Sequence, residues 1–130
     1  MLEDGIKALA QGANYAIVTS VMPDGDVQAQ PLWIDGDDEH LMFNTERDRQ
    51  RERNYRRDKR CTITIVGADG WYHWAEVRGE VVEVIDGPEA RAHIDKLAMK
   101  YTGAAYANPI TTERLIIKVR PNRQKFIKWA

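Results

Sequence analysis

The chain has 130 residues, 43% of them hydrophobic and 30% charged, with a formal net charge of −1. That length suits a single domain, residues 1–130, with a real core, and the lack of a long polar tract excludes a disordered chain. One cysteine, Cys61 in the apolar run "CTITIV", excludes an internal disulfide and predicts a buried, inert thiol.

The opening "MLEDGIKALAQG" carries acids at positions 3 and 4 and no long apolar run, so no secretory signal or spanning helix is expected, and a cytoplasmic location is. Leu2, Ile6, Leu9 and Ala10 fall on one side of a short helix that Gly12 ends. "NYAIVTSV" (14–21) and "VQAQPLWI" (27–34) read as the arms of a hairpin around the turn "MPDGD", and "EHLMFNT" (39–45) extends them to a three-stranded meander. A helix is expected over about 46–58. "CTITIVG" (61–67) and "WYHWAEVRGEVVEVI" (71–85) form a second hairpin, with Gly79 at a bulge. Residues 87–103 have Pro88 in the first turn, Ala90, Ile94, Leu97, Ala98 and Tyr101 at helical spacing, and Gly103 as a stop. "ERLIIKVR" (113–120), the turn "PN" and "RQKFIKWA" close the chain as a final hairpin. The fold class is therefore mainly β with short helices. Six or seven antiparallel strands favour a small barrel, in which closure removes unpaired edges.

The most unusual stretch is "RDRQRERNYRRDKR" (47–60). It sets seven Arg and one Lys against Asp48, Glu52 and Asp58, a local charge of +5. In a helix capped by Thr45, with Asp48 three residues on, Arg47, Arg49 and Arg51 would crowd the positive end of the macrodipole. Arg47/Arg51, Arg49/Arg53, Arg53/Arg57 and Arg56/Arg60 would be like-charge neighbours, and only Glu52 to Arg56 has a favourable spacing. Helix stability does not explain this arrangement, whereas a bound phosphate does. Nucleic acid is the rival anion. The mild overall acidity and the absence of a helix-turn-helix, RNA-recognition or zinc signature speak against it. His40, His73 and His93 lack the spacing and partners of a metal site, and no nucleophile triad stands out.

In order and spacing, these segments resemble the flavin- and deazaflavin-binding split β-barrels related to pyridoxamine 5'-phosphate oxidase, over nearly the whole chain. Phe43, Asn44 and Thr45 look like the family's strand end, Arg51 stands at the usual phosphate lysine, and "AEVRGEV" (75–81) looks like its "VEG" strand. "QPLWI" (30–34) is similar to the strand that lies along the ring system, and "IDKLAMKYTGAAY" (94–106) to the helix end of the single-domain reductases that use coenzyme F-420. The resemblance implies a homodimeric split barrel with cofactor between subunits. It further implies hydride transfer from reduced coenzyme F-420 to a small conjugated acceptor, with the redox chemistry carried by the cofactor. Flavin mononucleotide is the alternative cofactor, and a non-catalytic carrier or an Arg-rich nucleic-acid module is the alternative function. Gln50-Arg51 replaces the Arg-Lys of the flavin oxidases, and "RPNRQKFIKWA" lacks their C-terminal Arg and His pattern, which argues against pyridoxamine-phosphate oxidation.

Carried over residue by residue, Thr45, Arg49, Arg51 and Asn54 would hold phosphate, with Asn44 beside them and Arg47 assisting or reaching the tail carboxylates. Gln30, Pro31, Leu32 and Trp33 would line the ring, although Trp33 fits a plain core position equally well. Alternation over Trp71, Tyr72, His73 and Trp74 sets Trp71 and His73 on one face and Tyr72 and Trp74 on the other. One face would cap the partner's ring or pack the dimer interface, and Tyr72 and His73 are the candidates for a proton donor. Residues 103–112 are expected to shape the substrate pocket.

Overall fold

The computed structural model describes residues 1–129, so the terminal residue of the expected last strand, Ala130, lies outside the described residues. Seven antiparallel strands form one sheet in the order β2-β1-β5-β6-β7-β4-β3. They are β1 (Tyr15–Val21), β2 (Val27–Leu32), β3 (Ile34–Gly36), β4 (Leu41–Glu46), β5 (Arg60–Val66), β6 (His73–Ile85) and β7 (Arg114–Lys128). Three helices join them: α1 (Asp4–Gln11), α2 (Gln50–Arg57) and α3 (Gly87–Thr102).

The connection from β2 to β3 explains the architecture. β2 pairs with β1 at one sheet edge and β3 pairs with β4 at the other, yet only Trp33 separates them in sequence. One residue spans only about 3.5 Å, so the sheet must curl until its two edges meet at Trp33. The expected strand 27–34 is thus a bent strand serving both edges. The expected three-stranded meander is corrected: β1 and β2 form the hairpin, and β4 pairs with β3 and β7. Inside the curl, Ile6, Leu9 and Ala10 of α1 pack with Phe43, Ile63, Ile65, Val77, Leu115 and Ile117. Burial of each large aliphatic side chain contributes about 2 kcal/mol.

The final hairpin is also corrected. β7 runs unbroken through Pro121 and pairs with β6 from His73↔Lys128 to Ile85↔Ile116. Pro121 lacks an amide donor but lies beyond the last β4 partner, Val119, so one side of β7 has no strand to bond there. On its other side the register shifts at Arg78/Gly79, the expected bulge. Glycine is required at 79 because a Cβ would collide with the Arg120 carbonyl oxygen and crowd Val119 Cγ1.

α3 follows its sequence signals. Ala90, Ile94, Leu97 and Ala98 are buried, and Gly103 ends the helix at φ 79 with its amide donating to Met99 O. Cys61 is buried as expected, and burial pushes its thiol pKa up to about 12. Among the described residues, no helix is long and apolar enough to cross a membrane.

Candidate functional site

α2 begins at Gln50, four residues later than expected, because β4 claims Thr45 and Glu46 through pairing with Leu115 and Arg114. The chain then turns at Asp48, whose φ is 72, and its amide donates to Glu52 Oε1 at 2.9 Å. Glu52, not Thr45, thus closes the turn from within the helix. Arg49 is the N-cap and supplies no side-chain cap, so the amides of Gln50, Arg51 and Glu52 have no intrahelical acceptor.

The late start sorts the arginines. Arg47 bonds Glu113 and lies 3.9 Å from Asp86. Arg53 donates to Asp48 O and Gln50 Oε1, and Arg56 to Asp48 and Glu52. Arg57 donates to Val21 O, and Arg60 pairs with Asp58. Arg51 differs from these. It is partly buried and, among the described residues, has no carboxylate within ion-pair distance; its Nη1 donates to Thr45 Oγ1 at 2.8 Å and its Nη2 to Gln30 Oε1 at 2.7 Å. Burial lowers its pKa from the usual guanidinium value, and the charges of Arg49 and Arg114 act in the same direction. Three guanidinium groups therefore lie within electrostatic reach of one another.

Among the described residues, Glu46 is the one buried carboxylate within ion-pair distance of this cluster, 3.8 Å from Arg49 Nη2 and 3.9 Å from Arg114 Nη1. It also accepts the amides of Thr111 and Thr112, each at 2.6 Å, which fastens the end of the 103–113 loop to β4. Burial alone would raise its pKa, but these amides and the two arginines outweigh it and hold the pKa below the ordinary carboxylate value.

Beside this cluster lies a cavity of about 450 Å³ whose lining includes Pro31, Leu32, Trp33, Tyr101, Tyr106 and Arg114. That volume lies in the range of sites for cofactor-sized ligands. Trp33 is partly buried and stacks on Tyr101, with ring centroids 5.6 Å apart and planes 6° apart, while Tyr106 meets it edge-on at 6.4 Å. The strand bend that closes the barrel therefore also presents a flat aromatic wall. The Tyr101 hydroxyl fixes that wall by donating to Asn14 O at 2.7 Å and accepting from the Ile34 amide at 3.3 Å. Tyr101 and Tyr106 both belong to the "KYTGAAY" segment.

The structure brings together Gln30, Thr45, Arg49 and Arg51 at the helix start, and Pro31, Leu32, Trp33 and Asn44 around the cavity. It does not bring Arg47 into the guanidinium cluster. Asn54 is fully buried, donating to Ser20 Oγ at 2.9 Å and accepting from Gln50 Nε2 at 2.9 Å. Trp71 and Tyr72 precede β6, so strand alternation applies only from His73 onward. Trp71 lines a second cavity with Tyr15 and Ile17, Tyr72 stacks on Trp129, His73 binds Asp69 at 2.9 Å, and Lys125 lies 5.8 Å over Trp74. None of these four lines the Trp33 cavity. Sequence reasoning missed Arg114, Tyr101 as a stacking partner, and a buried Asp35–His93 pair 3.1 Å apart. Burial would raise the Asp35 pKa, but His93, the Gly36 amide and Lys96 outweigh it and lower it to about 2.

The family profile described as Pyridoxamine 5'-phosphate oxidase matches residues 2–128. No curated protein matches the chain. Among solved structures, an F-420 reductase is similar at 28% identity and a TM-score of 0.83, covering 95% of this chain and 98% of that chain. A conserved hypothetical protein from Mycobacterium tuberculosis is similar at 21% identity and a TM-score of 0.73, covering 98% of this chain and 84% of that one. A candidate pyridoxamine 5'-phosphate oxidase from Listeria innocua gives 18% identity and a TM-score of 0.72, covering 97% and 98%. The last two likenesses concern the fold.

Proposed function

The chain belongs to the pyridoxamine 5'-phosphate oxidase family, a family of flavin-type split-barrel oxidoreductases, and from that premise we propose that it is a reductase using coenzyme F-420. Arg51 is the observation that carries this reading. A partly buried guanidinium without a carboxylate is costly unless an anion completes it, and here it stands at the open amides of a helix start with Arg49 and Arg114 nearby. The similar F-420 reductase supports deazaflavin over flavin mononucleotide.

The residues present fit such a cofactor. Thr45, Arg49, Arg51 and the first amides of α2 would hold its phosphate, oriented by Gln30, and Pro31, Leu32 and Trp33 would flank its ring system. The bound deazaflavin supplies a hydride. The protein would bind and orient the cofactor, keep water from one ring face with its aromatic wall, and leave the single proton that accompanies the hydride to solvent. Tyr72 and His73 lie outside the Trp33 cavity, so a role for either as proton donor would require the partner subunit.

The proposed assembly is a homodimer. Trp71, 82% exposed, lines a cavity of about 450 Å³ with Tyr15 and Ile17, and those two residues also line the Trp33 cavity. A second copy covering this apolar face would complete the ring site.

Side-by-side fluorescence titrations with oxidised coenzyme F-420 and flavin mononucleotide test the cofactor reading. Deazaflavin binding at least tenfold tighter is expected, together with acceptor-dependent oxidation of the reduced coenzyme. Tighter binding of flavin mononucleotide would move the protein to flavin chemistry, and binding of neither would remove the enzyme assignment.

A further inference from the structure

Among the described residues, Arg114 is the only charged side chain that lines the Trp33 cavity. It is nine-tenths buried, and a chain of polar groups running through the protein fixes its orientation. Its Nε donates to Asn44 Oδ1 at 2.7 Å. That bond sets the Asn44 amide, whose Nδ2 then donates to Ala90 O and to His93 Nδ1, each at 3.1 Å. With Nδ1 accepting, the His93 proton sits on Nε2 and is given to Asp35 Oδ2 at 3.1 Å, where Lys96 also donates at 3.1 Å. Asn44, His93 and Asp35 are all buried, so the chain has few other arrangements available.

This anchoring leaves part of the guanidinium uncommitted. Nη1 has only a 3.5 Å contact with the Tyr106 hydroxyl and a 3.9 Å approach to Glu46, and Nη2 has no hydrogen-bond partner among the described residues. The Tyr106 ring packs against the guanidinium at 5.1 Å. A desolvated cation with free donors, in a cavity otherwise lined by uncharged groups, selects an anion. The parallel Trp33 and Tyr101 rings select a flat one.

We propose that Arg114, positioned by Asn44, His93 and Asp35, is a substrate-binding residue that takes the carboxylate of a planar conjugated acid. This rests on the reductase reading for the ligand's role as acceptor, though not for its binding. As an acceptor, an α,β-unsaturated carboxylate would take one hydride from the reduced coenzyme and one proton from solvent, saturating one carbon–carbon double bond.

Calorimetric titration of the protein with trans-cinnamate and with the neutral, isosteric cinnamamide tests the charge preference without any substitution. Cinnamate is expected to bind on the order of tenfold tighter or more. Arg114→Met should abolish the difference, Arg114→Lys should keep part of it, and Arg51→Met should keep it. Equal affinities in the unsubstituted protein, or a preference that survives in Arg114→Met, would overturn the proposal. Parallel titration with oxidised coenzyme F-420 separates the two readings. If the coenzyme does not bind but the Arg114-dependent cinnamate preference remains, the cofactor reading falls and the carboxylate site stands. If Arg114→Met weakens the coenzyme as much as Arg51→Met does, with no cinnamate preference, Arg114 belongs to the coenzyme clamp and this proposal falls.

Discussion

Arg47 and Arg51 look interchangeable in a run of like charges, but their partners separate them. Arg47 has Glu113 and Asp86, whereas Arg51 has only a hydroxyl and an amide oxygen. No local sequence rule distinguishes the two, because Glu113 and Asp86 are remote in the chain. Asn54 shows the opposite case. Its place in the Arg-rich segment suggests a ligand contact, yet its side chain is enclosed by Ser20, Met22 and Gln50. Asn54→Ala should therefore cost about 2 kcal/mol through the polar groups it strands, read as a lower urea midpoint, with coenzyme affinity per folded molecule unchanged.

Elements were legible where a local signal dominates and illegible where a distant strand decides. The expected span of α3 matches the helix within a residue at each end because Pro88, its apolar spacing and Gly103 are all local. The start of α2 was misplaced because pairing of Thr45 and Glu46 with β7 overrides the capping pattern. "PN" carries a turn signal that the fold overrides, since the sequence does not show that β4 ends beside it and that Gly79 bulges opposite. Gly79→Ala should destabilise by about 3 kcal/mol, seen as a lower thermal midpoint, because the added methyl meets backbone. Asp35 ties β3 to α3 through His93 and Lys96. Its pKa of about 2 lies below the usual 3.8, so the stability it contributes is present above pH 3.8 and is lost as pH falls through about 2. The advantage of the unsubstituted protein over Asp35→Asn should shrink by about 2 kcal/mol between pH 6 and pH 2 in denaturant titrations.

For the whole molecule, the barrel class is legible in the run of antiparallel strands with few and short helices, but its closure is not, because closure depends on Trp33 lying between two opposite sheet edges. The same bend creates the site, so its aromatic wall stayed hidden until β2 and β3 were separated. Arg114 gave no signal at all, being an ordinary basic residue at the head of an apolar strand. If the exposed face of Tyr15, Ile17 and Trp71 joins two copies, sedimentation should show a dimer for the unsubstituted chain and a shift toward monomer for Trp71→Glu, with weaker coenzyme binding. A monomeric unsubstituted protein would contradict that assembly.

In the proposed reading, the cation cluster at the start of α2 is a cofactor clamp built on Arg51 rather than a charged surface. Its most direct test is a fluorescence titration of oxidised coenzyme F-420 against Arg51→Met and Arg47→Met in parallel. A loss of affinity on the order of thirtyfold or more is expected for Arg51→Met, as for a charge-assisted bond to phosphate, and less than about threefold for Arg47→Met, whose cation is already paired. Equal losses in the two variants, or no loss in either, would contradict it.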